Sequence, residues 1–154
     1  MNTMKLAERI KQREFTSVQQ EALLSIIVTG SWILGELASA MSKFGVTPAQ
    51  YNCLRILRGA APEKLTCGEI GARLLDRTPD VTRMITRLMK AGLVDRERAE
   101  HDRRVVEVWA TPKGIELLKE MDPMVDAIQI ELMKSLSDDE LRELTGLLER
   151  LRTS

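Results

Sequence analysis

Apolar residues recur at helical spacing along most of this chain, and the pattern breaks once. Over residues 16–44, Val18, Ala22, Ile26, Ile27, Ile33, Leu34, Leu37 and Met41 return every few positions, which predicts one long helix. A second helix is expected over 48–58, with Tyr51, Leu54, Ile56 and Leu57 inward. A third, over 66–75, is short and carries Ile70 and Leu74 as its stripe. A fourth covers 79–91, where Val81, Met84, Ile85 and Leu88 share one arc that must face a core. The pattern then turns to β type. Residues 93–98 and 104–110, the latter with Val105, Val106, Val108 and Trp109, read as the strands of a hairpin with a polar tip at 99–103. From Pro112 the helical period returns and holds to the C-terminus, in two segments meeting near Ser137. The order predicts a mainly α fold with a small β-hairpin wing.

Local punctuation supports these boundaries. Thr47-Pro48, Thr78-Pro79 and Thr111-Pro112 each read as an N-cap followed by a first helical residue. The Thr side chain accepts from an orphan amide, and Pro gives up a donor that had no partner there. Thr66-Cys67-Gly68-Glu69 and Ser137-Asp138-Asp139-Glu140 have the form of capping boxes. Gly45, Gly59 and Gly92 stand where helices should stop in a left-handed conformation. Pro123 falls inside the fifth helix and clashes with the carbonyl of Lys119, which predicts a kink or break over 119–122.

Composition narrows the class. The chain has 154 residues, 44% of them hydrophobic and 30% charged, which is globular; aromatics are 3%, so the core must be aliphatic. The most apolar stretch, 23–34, is interrupted by Ser25, Thr29, Gly30 and Ser31 and is too short to span a bilayer. No signal peptide is read at the N-terminus, and two cysteines make no secreted framework, so a cytoplasmic protein without a membrane partner is expected. There is no Gly-rich phosphate loop, no HExxH and no Ser/His or Cys/His pair beyond one wing histidine, His101, so neither an enzyme nor a cofactor is expected. A lone His also argues against a structural metal.

Net charge is zero, so the distribution has to speak. Between Arg73 and Arg104, nine basic residues face six acidic ones, whereas 112–154 holds six basic and ten acidic. The basic surplus lies on the fourth helix and the hairpin. Opposite its apolar arc, the fourth helix presents Pro79, Arg83, Thr86 and Lys90, flanked by Thr82 and Arg87, with Thr78 at its start. Arg can bond both acceptors of a guanine, and Thr offers a hydroxyl or a methyl to thymine, so this face suits a major groove. Arg103 and Arg104 at the hairpin tip suit a narrow minor groove, where negative potential is strongest. The short linker Asp76-Arg77 between the third and fourth helices fits a helix-turn-helix.

The run 66–114 resembles the MarR family of multiple-antibiotic-resistance regulators. The wing pattern Asp102-Arg103-Arg104, the closing step Thr111-Pro112-Lys113-Gly114 and the helix opening Thr78-Pro79-Asp80-Val81-Thr82-Arg83 carry the likeness. The resemblance implies a winged helix-turn-helix with a helical dimerisation lobe, and a homodimeric, usually ligand-responsive regulator of transcription. It implies that Thr82, Arg83 and Arg87 face the major groove of double-stranded DNA. Arg104 would enter the minor groove, and Asp102 would brace the wing by pairing with an Arg. It divides the chain into a dimerisation helix (1–46), a DNA-binding lobe (47–111) and C-terminal dimerisation helices (112–154). Ala110 departs from the family's usual Leu before the Thr.

Remaining features divide between function and packing. Leu141, Leu144, Leu148 and Leu151 form a narrow stripe on the last helix, suited to a partner helix. Trp32 and Trp109 read as packing anchors. Because relatives bind aromatic acids between lobes, Trp32, Met41 and Arg55 are candidates for the wall of a pocket for a small aromatic or phenolic effector. Two alternatives stay open: a redox sensor acting through Cys53 or Cys67, the latter in a helix first turn that lowers a thiol pKa, and a winged-helix protein-interaction module.

Overall fold

The computed structural model describes residues 6–11, 14–76, 80–99, 102 and 104–153. Its elements in chain order are α1 (Leu6–Arg9), α2 (Val18–Met41) with a 3-10 turn at Ser42–Phe44, α3 (Pro48–Ala60) and β1 (Leu65–Thr66). Then come α4 (Cys67–Arg73), α5 (Val81–Lys90), β2 (Val94–Arg98), β3 (Val106–Ala110), α6 (Pro112–Met133) and α7 (Asp138–Arg152). The mainly helical fold with a hairpin wing is as expected.

Helix starts follow the capping chemistry. Thr66 accepts from the Glu69 amide while Glu69 Oε2 accepts from the Thr66 amide at 2.8 Å, and Ser137 and Glu140 repeat the exchange. Thr47 makes a third such box with Gln50. Each cap contributes about 1 kcal/mol. Gly45 and Gly92 are left-handed, with φ of 70° and 73°.

Several features differ from those expected of the sequence: α4 ends at Arg73 rather than at residue 75, and β3 begins at Val106 rather than at 104. The first long helix begins at Val18 with Ser17 as its N-cap, because Thr16 spends its own amide and hydroxyl on Gln20 Oε1. Gly59 does not stop α3, which runs on to Ala60. The N-cap of α5 is Asp80, not Thr78: Asp80 Oδ1 accepts from the Arg83 amide at 3.0 Å. Thr78 and Pro79 lie outside the described residues. Pro123 does not break the fifth helix, which is continuous from Pro112 to Met133. Met121 and Val125, on either side of the proline, are both buried in the core, and their packing opposes the roughly 3 kcal/mol that an interior Pro costs.

The strand β1 has no counterpart among the expected elements. It pairs antiparallel with β3 through Leu65 opposite Val108 and Thr66 opposite Glu107, and gives a three-stranded sheet of order β1-β3-β2. Two residues are too few for a periodicity signal. The aliphatic core lies between α3, α4, α5, this sheet and the first half of α6: Leu54, Leu65, Ile70, Ile85, Val108 and Leu118 are all at 2% exposure or less. By contrast, α7 has no buried residue, and α2 has only Met41.

Candidate nucleic-acid interface

Helix α5 is split lengthwise. Met84, Ile85 and Leu88 are buried, Val81 is half-buried, and Thr82, Arg83, Thr86 and Arg87 are exposed, with Lys90 at its outer end. The Thr86 hydroxyl donates to the Thr82 carbonyl at 2.9 Å, so it offers a methyl and a lone pair outward rather than a proton. Arg83 and Arg87 line a shallow cleft of about 260 Å³ together with Thr47, Gln50 and Asp80. The start of α3 thus stands beside the Arg face of α5. Sequence reasoning missed Thr47 and Gln50 here, since their capping role is local and their place beside α5 is not.

The wing is the β2–β3 hairpin, in register from Val94 opposite Ala110 to Arg98 opposite Val106. At its tip the Asp102 carbonyl accepts from the Val105 amide at 2.9 Å, and Asp102 Oδ1 accepts from the Arg104 amide at 2.9 Å. Asp102 therefore holds the backbone of Arg104. Arg104 is exposed; Arg103 lies outside the described residues, as does His101. On the sheet, Lys64 pairs with Glu97 and sits 4.6 Å from the centre of the Trp109 ring, so Trp109 anchors the base of the wing.

Two links join the DNA lobe to the helices around it. At the end of α5, the Thr111 hydroxyl donates to the Gly92 carbonyl at 2.7 Å, and the Lys113 ammonium donates to the Ala91 carbonyl at 2.7 Å. Between α3 and α6, Asp122 receives Tyr51 Oη at 2.8 Å and an Arg58 guanidinium nitrogen at 2.6 Å. The Arg58 hydrogen bond, followed by that of Tyr51, holds the Asp122 carboxyl below its ordinary pKa. Burial, then the bond to Asp122, pushes the Tyr51 phenol up to about 12.

A cavity of about 460 Å³ lies where α2, α3 and the α4–α5 turn meet. Met41 and Arg55 line it, as do Tyr51, Asn52 and Leu74; Trp32, half-buried on α2, does not. Cys53 is fully buried, and burial raises its thiol to about 12, which keeps it protonated and poorly nucleophilic. Cys67 is half-buried. Among the described residues no group of three or more His, Cys, Asp or Glu is placed to hold a metal ion.

The stripe expected on α7 divides. Leu141 and Leu148 are half-buried, while Leu144 is 40% and Leu151 58% exposed, and Leu147 joins them at 52%. On α2, Leu23, Ile27 and Leu34 are also exposed. With the following turn this helix spans 27 residues and is, by length and composition, apolar enough to cross a membrane. The apolar stretch at 23–34 is thus part of a much longer one.

Known proteins that resemble this chain point one way. The MarR family model matches residues 44–105. An HTH-type transcriptional regulator of Bacillus subtilis (strain 168), YkoM, is 35% identical over 107 residues, which is 69% of this chain and 68% of that protein. The crystal structure of a MarR transcription factor from Planctomyces limnophilus is 38% identical with a TM-score of 0.69, over 88% of this chain and 98% of that one. The reduced form of MarR from E. coli is 26% identical with a TM-score of 0.69, over 90% and 98%. An exposed Thr/Arg face on the second helix of a helix-turn-helix, a braced wing and these likenesses agree: the chain is a DNA-binding transcription regulator, not an enzyme, and belongs to the MarR family.

Proposed function

We propose that the protein acts in the cytoplasm as a homodimeric repressor on an inverted-repeat operator and is released from it by a small aromatic or phenolic molecule. The observation that carries the dimer is the uncovered apolar surface of α2 and α7. Leu23, Ile27, Leu34, Leu144, Leu147 and Leu151 are too many large exposed side chains for a lone soluble lobe, and a second copy supplies the cover. The same cover explains the apolar length of α2 without a bilayer.

In the dimer, α5 of each protomer lies in a major groove, with Arg83 and Arg87 on base edges or phosphates, Thr82 and Thr86 beside them, and Lys90 on the backbone. Thr78 and Pro79 open that contact, and Arg103 and Arg104 reach the flanking minor groove. The effector occupies the cavity bordered by Met41 and Arg55, whose guanidinium is the natural partner for an acidic or phenolic oxygen. Trp32 has no part in that wall.

Selection of a bound sequence from a random duplex pool, followed by gel shift at several salt concentrations, tests the DNA reading. An enriched inverted repeat is the expected result. Binding that ignores sequence would reject an operator-specific regulator. Arg83→Ala should lose roughly 1–3 kcal/mol and relax preference at one position per half-site.

A further inference from the structure

The start of the turn in the helix-turn-helix is held from outside by a side chain of α3. Helix α4 ends at Arg73, and its C-cap, Leu74, is extended and buried. The next residue, Leu75, has a side chain that is 90% exposed, so packing does not fix it. Its backbone amide instead donates to Asn52 Oδ1 on α3 at 3.1 Å. Five residues further on stands Asp80, the N-cap of α5.

We propose that Asn52 is a positioning residue for DNA reading, acting through Leu75 on the N-terminal end of α5. The rest of α5 is fixed by other means. Met84, Ile85 and Leu88 seat its inner face, and the Gly92–Thr111 and Ala91–Lys113 bonds fasten its far end. Thr82 and Arg83 lie at the near end, beside the half-buried Val81, and the chain enters it from a turn whose start Asn52 holds. A loose turn lets that end pivot about the fastened one, and small displacements there misplace a bidentate contact. Asn52 also borders the 460 Å³ cavity together with Leu74 and Leu75.

The proposal rests on α5 being the reading element, so the test carries a control for that. Fluorescence anisotropy of the full chain on the duplex enriched from the random pool compares wild type with Asn52→Ala, Asn52→Leu, Asn52→Asp and Arg83→Ala. A turn freed by loss of this hydrogen bond predicts binding about three- to tenfold weaker for the Ala and Leu variants, with a small fall in melting temperature and an unchanged dimer mass. The Asp variant keeps the acceptor and should bind within about twofold of wild type. Amide hydrogen exchange at Leu75 should quicken in the Ala and Leu variants alone. If Arg83→Ala weakens binding and Asn52→Ala and Asn52→Leu do not, the positioning role is overturned. Equal losses in all three Asn52 variants would overturn the acceptor as its cause. If Arg83→Ala has no effect, the assignment of α5 itself fails.

Discussion

Gly114 lets α6 begin directly against the backbone of Leu93: a Cβ at position 114 would lie 2.2 Å from the Leu93 carbonyl oxygen. The same oxygen accepts from the Thr111 amide at 3.1 Å, and Thr111 Oγ1 accepts from the Gly114 amide at 3.2 Å. Close approach and hydrogen bonds thus seat the first turn of α6 on the chain leaving α5. The Thr-x-x-Gly step is a mechanical joint between the reading helix and the helix that follows the wing.

Gly114→Ala should therefore be costly although alanine is the better helix former. The clash is with backbone, which cannot swing aside as a side chain would, and overpacking of this kind costs about 1–3 kcal/mol or more. Urea denaturation is expected to show a lower midpoint with an unchanged slope. A midpoint equal to or above wild type would mean that α6 can shift without loss.

Asp122 joins two segments through opposite titrations. Its folded pKa is depressed, chiefly by Arg58, so its contribution is present above the unfolded value of about 4 and is lost as pH falls through the lower folded value. Tyr51 is raised to about 12, so its contribution is complete below about pH 10 and fades as pH climbs towards that value. Asp122→Asn should flatten the acid limb of the stability profile. It should only partly shift the alkaline limb, since burial is the larger cause at Tyr51. Chemical denaturation from pH 3 to 11 checks both limbs; an unaltered acid limb would mean that Asp122 does not shape it.

The uncovered leucines of α7 predict the assembly state. Light scattering at micromolar concentration should give about twice the 17.4 kDa chain mass. Replacing Leu144 and Leu148 with Asp should halve that mass or unfold the chain, because each unpaired carboxylate buried at an interface costs several kcal/mol. A wild-type monomer would leave those faces needing a different partner.

At the wing, Arg104→Ala should weaken operator binding most where the flanks are A·T-rich. The slope of log affinity against log salt should flatten by up to about 0.9 for each phosphate that is no longer neutralised. Asp102→Ala should weaken binding less, by freeing the Arg104 backbone that its carboxylate holds. Asp102→Asn keeps an acceptor and should be milder still. In a double-mutant cycle, Asp102→Ala should matter little once Arg104 is gone. Fully additive losses would separate the two residues.

What the sequence determined by itself is what depends on neighbours along the chain. The capping boxes at Thr66 and Ser137 close over three residues, the left-handed Gly45 and Gly92 act at one position, and the apolar arc of α5 repeats within one helix. The wing and its Asp-x-Arg tip were legible for the same reason, and with them the family. Tertiary structure decided the rest, because those partners are far apart in sequence. Asp122 meets Tyr51 across 71 residues and Arg58 across 64, and Asn52 reaches Leu75 across 23. Local rules foretold a break at Pro123, yet burial of Met121 and Val125 keeps α6 continuous. Nor could residue type alone place Trp32, which lies outside the cavity wall that Met41 and Arg55 share. A side chain's type states what bond it can make, but only the packed chain brings the donor to the acceptor.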